Sequence, residues 1–278
     1  MEKHTTITWD GFILDMFRIP SYMNDTYDNT KLKQPILFVH GTARDARCWL
    51  LMGSKSSVFY YASKCYDVWL ANTRGTAFCK HASIKPYSKT YWDFSFHEQA
   101  TRDIPAKLDL IANVTGQAGN IIYMGHSMGT TMAFVYCSVN VTHCRNNLRA
   151  IIALGPIANL NKIKVPFFHF FARTNEIFQE FLPVMVAKGG APLSVRNTVH
   201  YNQIINRKGR FAWYDYGPSK NLLVYNSKLP PLYNVSKIPV NVDLFYCNDD
   251  LFASKEVDLY SSADRQIGAK DPDICTAG

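Results

Sequence analysis

Short apolar runs separated by longer amphipathic stretches recur through the first 155 residues. Pro35-Ile36-Leu37-Phe38-Val39, residues 66–71, Asn120-Ile121-Ile122-Tyr123-Met124 and residues 150–154 are each rich in β-branched, leucine and aromatic side chains. This is the pattern of strands buried inside a sheet. Between the second and third runs, Ala100, Ile104, Leu108 and Ile111 recur at helical spacing and Gly116 follows as a stop, which predicts an amphipathic helix. Pro105 falls early in it and reads as a first-turn residue or a kink. Thr130 to Ser138 carries Met132, Ala133, Phe134, Val135 and Tyr136, a composition suited to a buried helix. Alternation of this kind predicts a mainly parallel sheet covered by helices. From Asn159 to Arg210 the alternation is lost. Phe167, Phe168, Phe170, Phe171, Phe178 and Phe181 crowd together there, with prolines at 166, 183 and 192, and the segment reads either as an apolar cover over a site or as a helical packing insertion. A strand pattern returns at Val240 to Cys247, followed by Asn248-Asp249-Asp250.

The chemistry is concentrated between the third strand and the buried helix, at Gly125-His126-Ser127-Met128-Gly129. A serine hydroxyl is a weak nucleophile until a neighbouring base takes its proton. A sharp strand-to-helix turn lifts such a serine above the sheet, and glycines on either side remove side chains that would clash in the turn. Ser127 is therefore the candidate nucleophile. The first strand runs into His40-Gly41-Thr42. A backbone N–H of that turn, at Thr42, and that of Met128 are the candidate donors to the negative oxygen of a tetrahedral intermediate.

A chain of 278 residues, 47% hydrophobic, is long enough to bury a full core. Its net charge of +8 is scattered, with small groups such as Arg207-Lys208-Arg210. No nucleic-acid motif accompanies it, so it reads as a solvated surface and no nucleic-acid partner is expected. No apolar stretch approaches the roughly 18–20 residues that span a bilayer, so no transmembrane segment is expected. Met1-Glu2-Lys3-His4-Thr5-Thr6 holds none of the apolar character of a signal peptide. Four N-x-S/T sites, at Asn24, Asn113, Asn140 and Asn234, suit a secreted glycoprotein. The seven cysteines show no metal-type C-x-x-C spacing; Cys137 and Cys144 fall close enough to meet across a helix end, and free thiols are expected for most of them. No metal or cofactor is expected.

Several stretches together resemble the acid lipases of the α/β-hydrolase superfamily, a group that includes gastric and lysosomal lipases and their invertebrate relatives. Thr6-Ile7-Thr8-Trp9-Asp10-Gly11-Phe12-Ile13-Leu14 with Arg18-Ile19-Pro20 is similar to the family's opening hairpin, and Phe38-Val39-His40-Gly41 to its oxyanion strand. Tyr66-Asp67-Val68-Trp69-Leu70-Ala71-Asn72-Thr73-Arg74-Gly75, Trp92-Asp93-Phe94-Ser95-Phe96-His97-Glu98 and Asp103-Ile104-Pro105-Ala106 carry the resemblance on. His200-Tyr201, Gln203, Tyr214-Asp215-Tyr216-Gly217 and Pro230-Pro231-Leu232-Tyr233 continue it toward residue 260.

The resemblance implies an α/β-hydrolase fold with a mainly parallel sheet, helices on both faces and a shortened cap insertion. It implies core at 1–158 and 211–260, cap at 159–210, and a tail at 261–278 unlike the family. It also implies a lipase or carboxylic ester hydrolase acting on neutral lipid (triacylglycerol or steryl ester) at a lipid–water interface, and a secreted or lysosomal location. Ser127 takes the family's nucleophile position and Asp249 its triad acid, with Asp250 the alternative if the register slips by one. Three departures stand out. The family's signal peptide has no counterpart here, only 45 positions separate Gly155 from His200, and no histidine follows His200, although the resemblance places the triad histidine after the acid. A catalytically inactive lipid- or partner-binding protein of the same fold is therefore the second expectation.

Overall fold

The computed structural model describes residues 1–20, 32–160, 191–207 and 210–247. Eight strands among them form one sheet: β1 (Glu2–Ile7), β2 (Phe12–Ile19), β3 (Pro35–Val39), β4 (Asp67–Ala71), β5 (Cys79–His81), β6 (Ile121–His126), β7 (Leu148–Leu154) and β8 (Asn241–Phe245). Their order is β1-β2-β4-β3-β6-β7-β8, with β5 paired to β2. β1, β2 and β5 are antiparallel to their neighbours. From β4 through β3, β6 and β7 to β8 every pairing is parallel. The expected parallel strands appear within one or two residues of the runs that predict them, and the opening hairpin implied by the resemblance is β1–β2.

The absence of polar alternation in β3 and β4 has a direct cause. Successive side chains point to opposite faces, and both faces are covered. Leu37, Val39, Trp69, Ala71 and Tyr123 enter one core. Ile36, Phe38, Val68, Leu70 and Met124 enter the other. The first core is closed by α2 (Phe96–Glu98), α3 (Ile104–Thr115), α4 (Met128–Val139) and α5 (Val141–Asn147). The second is closed by α1 (Ser57–Ser63) and the 3-10 turn Ala46–Leu50. Ile104, Leu108 and Ile111, the stripe read from the sequence, are fully buried. Pro105 is the second residue of α3, directly after a π-helical turn over Gln99–Asp103 in which the Ile104 N–H reaches back to Gln99 O. Gly116 ends the helix at φ 68°, a left-handed cap. After residue 190, α6 (Val195–Asn206) and α7 (Pro218–Tyr225) return the chain to the sheet. The phenylalanine cluster at 167–181 and residues 248–278, including Asp249 and Asp250, lie outside the described residues.

Below the carboxyl ends of the parallel strands lies a buried ion-pair cluster. The Arg74 side chain is 1% exposed and that of Asp103 is 0% exposed. Arg74 donates through Nε to Asp103 at 2.7 Å and through Nη1 and Nη2 to Asp10 at 2.7 and 3.0 Å. Its guanidinium stacks on Phe12 at 4.1 Å. This packing leaves no room beside Gly75 (φ 86°), where a Cβ would meet Phe94 Cζ at 2.8 Å. Breaking a buried pair strands a charge, so Arg74→Met is expected to destabilise the fold by about 3–5 kcal/mol. Urea unfolding measures it, and a loss below about 1 kcal/mol would show that Asp103 keeps its charge satisfied without the arginine.

Candidate active site

β6 ends at the centre of the parallel strands, and the chain turns directly into α4. Ser127 occupies that turn with φ 52° and ψ −118°, a backbone region that costs a non-glycine residue about 1–3 kcal/mol. The turn is held on both sides. The Ser127 N–H donates to Leu154 O at 3.0 Å, and the Ser127 carbonyl accepts from Thr130 N at 2.8 Å and Thr130 Oγ1 at 2.6 Å. Two glycines make the geometry possible. A Cβ on Gly125 would lie 2.7 Å from Gly129 C, and one on Gly129 would lie 2.5 Å from Val39 O. Ser127 is partly exposed, and among the described residues nothing hydrogen-bonds its Oγ. The strained, solvent-reaching serine is the arrangement that the sequence pattern anticipates.

The turn after β3 lies against this serine, since a Cβ on Gly41 would sit 3.1 Å from Ser127 Cβ. Ala43, next to Thr42, has φ 52°, a second strained non-glycine residue at the same place. Met128 is the first residue of α4, so its N–H belongs to the four that no carbonyl of the helix can accept. Neither it nor the Thr42 N–H is consumed by a hydrogen bond to the described residues. Of the two sequence-predicted donors, Met128 follows Ser127 at the positive end of a helix of 12 residues, and Thr42 follows the Gly41 that packs on the serine.

Histidines crowd the neighbourhood without serving the serine. His40 is buried; its Nδ1 pairs with Gly41 O at 2.9 Å, and its Nε2 accepts from Thr73 N at 3.3 Å. Burial drives its pKa down to about 4. His200 is also fully buried, stacks on Phe96 at 4.0 Å, and pairs with Ser95 Oγ at 3.0 Å and Ala212 O at 2.9 Å. Burial drives its pKa to about 3. His97 pairs with Tyr233 Oη at 2.7 Å. His126 is exposed, and its ring meets Trp49 edge-on at 6.3 Å. Their roles among the described residues are structural. Asp249 and Asp250 lie outside those residues, so the acid remains a sequence expectation. Among the described residues no cluster of His, Cys, Asp or Glu is arranged to hold a metal.

Sequence reasoning passed over the polar groups behind the site. Gln99, Thr73 and Asn197 are buried and joined by hydrogen bonds. Their types carry no motif, and a polar residue in an amphipathic segment reads as a surface position. The Cys137–Cys144 disulfide, Cα–Cα 5.2 Å, forms where the spacing allowed it, across the junction of α4 and α5. Cys48, Cys65, Cys79 and Cys247 are free.

The fold and the turn define an α/β-hydrolase. A family model described as "alpha/beta hydrolase fold" matches residues 34–227, and one described as "Partial alpha/beta-hydrolase lipase region" matches residues 1–53. The chain is 31% identical to a gastric triacylglycerol lipase of Bos taurus, over 94% of this chain and 78% of that protein. It is 30% identical to lipase member K of Mus musculus, over 91% and 75%. Among solved structures, the esterase RhEst1 from Rhodococcus sp. ECU1013 superposes with a TM-score of 0.53 at 14% identity, over 91% of this chain and 83% of that one, a likeness of fold. The chain belongs to the acid lipase family of α/β-hydrolases, and by that membership it is a lipase-type ester hydrolase.

The buried imidazoles give the fold a pH dependence of definite sign. His40 and His200 are held neutral when folded, whereas in the unfolded chain they protonate near 6.5. Below pH 6.5 the unfolded state therefore binds more protons, and stability falls as pH drops from 6.5 toward 4. For His40 the loss is on the order of 3 kcal/mol. Urea midpoints at pH 7.5 and 4.5 are expected to show a clear decrease, reduced in His200→Gln; equal midpoints in the parent protein would contradict the buried neutral assignment.

Proposed function

We propose that this protein hydrolyses esters of neutral lipids, triacylglycerol or steryl ester, through Ser127 and an acyl-enzyme. The observation that carries the reading is the strained Ser127 turn set against two backbone N–H groups. Ser127 Oγ attacks the ester carbonyl as a base takes its proton. The carbonyl π electrons move to oxygen, where the N–H groups of Thr42 and Met128 receive the developing charge. Collapse of the tetrahedral species expels the alcohol, which takes up a proton. Water then attacks the acyl-enzyme by the same route and releases the fatty acid. Asp249 is the group assigned to orient the base, with Asp250 the alternative. The chemistry requires no cofactor or metal. A lipid–water interface is the expected place of action, with core at 1–158 and 211–260, cap at 159–210 and a separate tail at 261–278.

The location that fits is the secretory route, ending outside the cell or in a lysosome. A disulfide in α4–α5 suits an oxidising compartment. Of the N-x-S/T sites, Asn113 and Asn234 are exposed, as glycan attachment requires.

A second reading has its own observation. Between Asp249 and Gly278 the sequence holds no histidine, so these 278 residues carry no base where the resemblance puts one. Losing a member of a Ser–His–acid triad lowers kcat by about 10⁴–10⁶-fold. On that reading the 278-residue polypeptide binds lipid or a partner and turns over little. Imidazole added to solution separates the two. With a p-nitrophenyl ester, imidazole is expected to accelerate hydrolysis above the protein-free imidazole rate, and Ser127→Ala is expected to abolish the gain. Asp249→Asn is expected to reduce the rescued rate at least about tenfold, with Asp250→Asn unchanged. Equal rescue in Ser127→Ala would remove Ser127 from the mechanism.

A further inference from the structure

His40 is held in one tautomer by its neighbours. The Thr73 N–H, 3.3 Å from Nε2, requires that nitrogen to be the acceptor. The ring proton therefore sits on Nδ1, which donates to Gly41 O at 2.9 Å. The Gly41 carbonyl and the Thr42 N–H belong to the same planar peptide unit. A hydrogen bond that fixes the direction of that C=O also fixes the direction of the N–H on its other side. His40 thus sets the aim of the Thr42 N–H through the peptide plane.

The same chain of hydrogen bonds extends away from His40. Thr73 Oγ1 lies 3.3 Å from His40 Nε2 and accepts from Gln99 Nε2 at 3.1 Å. Because the Gln99 amide supplies that proton, the Thr73 hydroxyl is left to donate to the imidazole. Gln99 Oε1 accepts from Asn197 Nδ2 at 3.3 Å. Every donor points the same way, from α6 to Gly41, and bonds aligned in this sense polarise one another in a low-dielectric interior. The members are all buried: Thr73 1%, Gln99 3%, Asn197 1% and His40 1% exposed. Asn197 Oδ1 finds no partner among the described residues, and Asn197 is among the residues lining a small cavity of about 10 Å³ that Met128 and His40 also line. That volume is about that of one water probe. α6 is the first helix after residue 190, so the relay joins the returning chain to the candidate oxyanion donors.

We propose that Gln99 is a positioning residue for ester hydrolysis: through Thr73 and His40 it fixes the peptide plane that presents the Thr42 N–H, and Asn197 anchors it to α6. The inference rests on the reading of Thr42 as an oxyanion donor, and it assigns a purpose to a buried, uncharged amide whose hydrogen bonds among the described residues go to Thr73, Arg74 and Asn197. Losing an oxyanion donor outright costs about 10²–10³-fold in kcat; misaiming one is expected to cost less.

The test compares the 278-residue protein with Gln99→Met, which removes the amide at similar volume, and with Asn197→Ala. Proton–nitrogen correlation spectra of ¹⁵N-histidine-labelled protein, with His40 assigned by His40→Gln, are expected to show the Nδ1–H tautomer in both proteins and a shifted His40 Nε2 resonance in Gln99→Met, where the Thr73 hydroxyl is no longer held on the imidazole. In the imidazole-supported assay, Gln99→Met is expected to lower kcat about tenfold or more with KM unchanged, and Asn197→Ala to lower it in the same sense by less. An unchanged His40 Nε2 resonance in Gln99→Met overturns the proposal, as does an unchanged kcat, or a rise in KM with kcat constant. If Ser127→Ala responds to imidazole as the parent does, the ester hydrolase reading has failed instead, and the His40 Nε2 resonance alone still decides whether Gln99 acts on the imidazole that holds that peptide.

Discussion

Helix α4 reaches the mouth of the sheet only because two positions carry no side chain. The Gly129 backbone passes so close to the end of β3 that a single added carbon would lie 2.5 Å from the Val39 carbonyl, and Gly125 is pressed as tightly against Gly129 and Thr130. This contact sets the crossing of α4 over β3 and β6. It brings the unspent N–H of Met128 beside the Gly41–Thr42 turn, and it leaves Ser127 in a conformation that a free chain would not hold. The roughly 1–3 kcal/mol stored there is sustained by Tyr123, whose buried hydroxyl donates to Gly129 O at 2.7 Å, and by the Thr130 and Thr131 side chains, which tie the start of α4 to Ile157.

The polar groups beneath the site divide into two sets with different physics. Arg74, Asp10, Asp103 and Arg102 form a charged cluster whose value lies in mutual compensation. Burial favours the neutral form of Asp10, yet the Arg74 guanidinium beside it outweighs this and holds the carboxyl well below its usual range. His40, Thr73, Gln99 and Asn197 form a neutral relay whose value lies in direction. The segment Asn72-Thr73-Arg74-Gly75 serves both sets. Asn72 Oδ1 accepts from Ala46 N at 2.9 Å, Thr73 feeds the relay, Arg74 joins the ion pairs, and Gly75 permits the packing of Phe94. A stretch that the sequence marks only by its resemblance thus has a physical reason at each position.

The centre of the sheet was legible because β3 and β4 are buried on both faces and so appear as unbroken apolar runs. The elbow was legible because steric exclusion at Gly125 and Gly129 leaves a trace in residue type. β5 and α1 were not anticipated: the first spans only three residues and the second seven, too short to impose a period. Gln99 and Asn197 stayed hidden for a different reason. Their partners lie far along the chain, Asn197 being 98 positions from Gln99, and a buried amide looks like a surface amide until its partners are placed. Pro105 shows a case where the sequence left two readings open and both have a counterpart: it lies in the first turn of α3 and directly after the π-helical turn Gln99–Asp103.

The proposed mechanism turns on one atom, Ser127 Oγ, as the group that forms a covalent bond. The most direct measurement is mass spectrometry of the protein after reaction with a p-nitrophenyl alkylphosphonate in imidazole buffer, followed by proteolytic mapping of the adduct. The account predicts one phosphonyl group per chain, on Ser127, with the Ser127→Ala protein unmodified. Modification at another residue, or no modification of the folded parent protein, would contradict it.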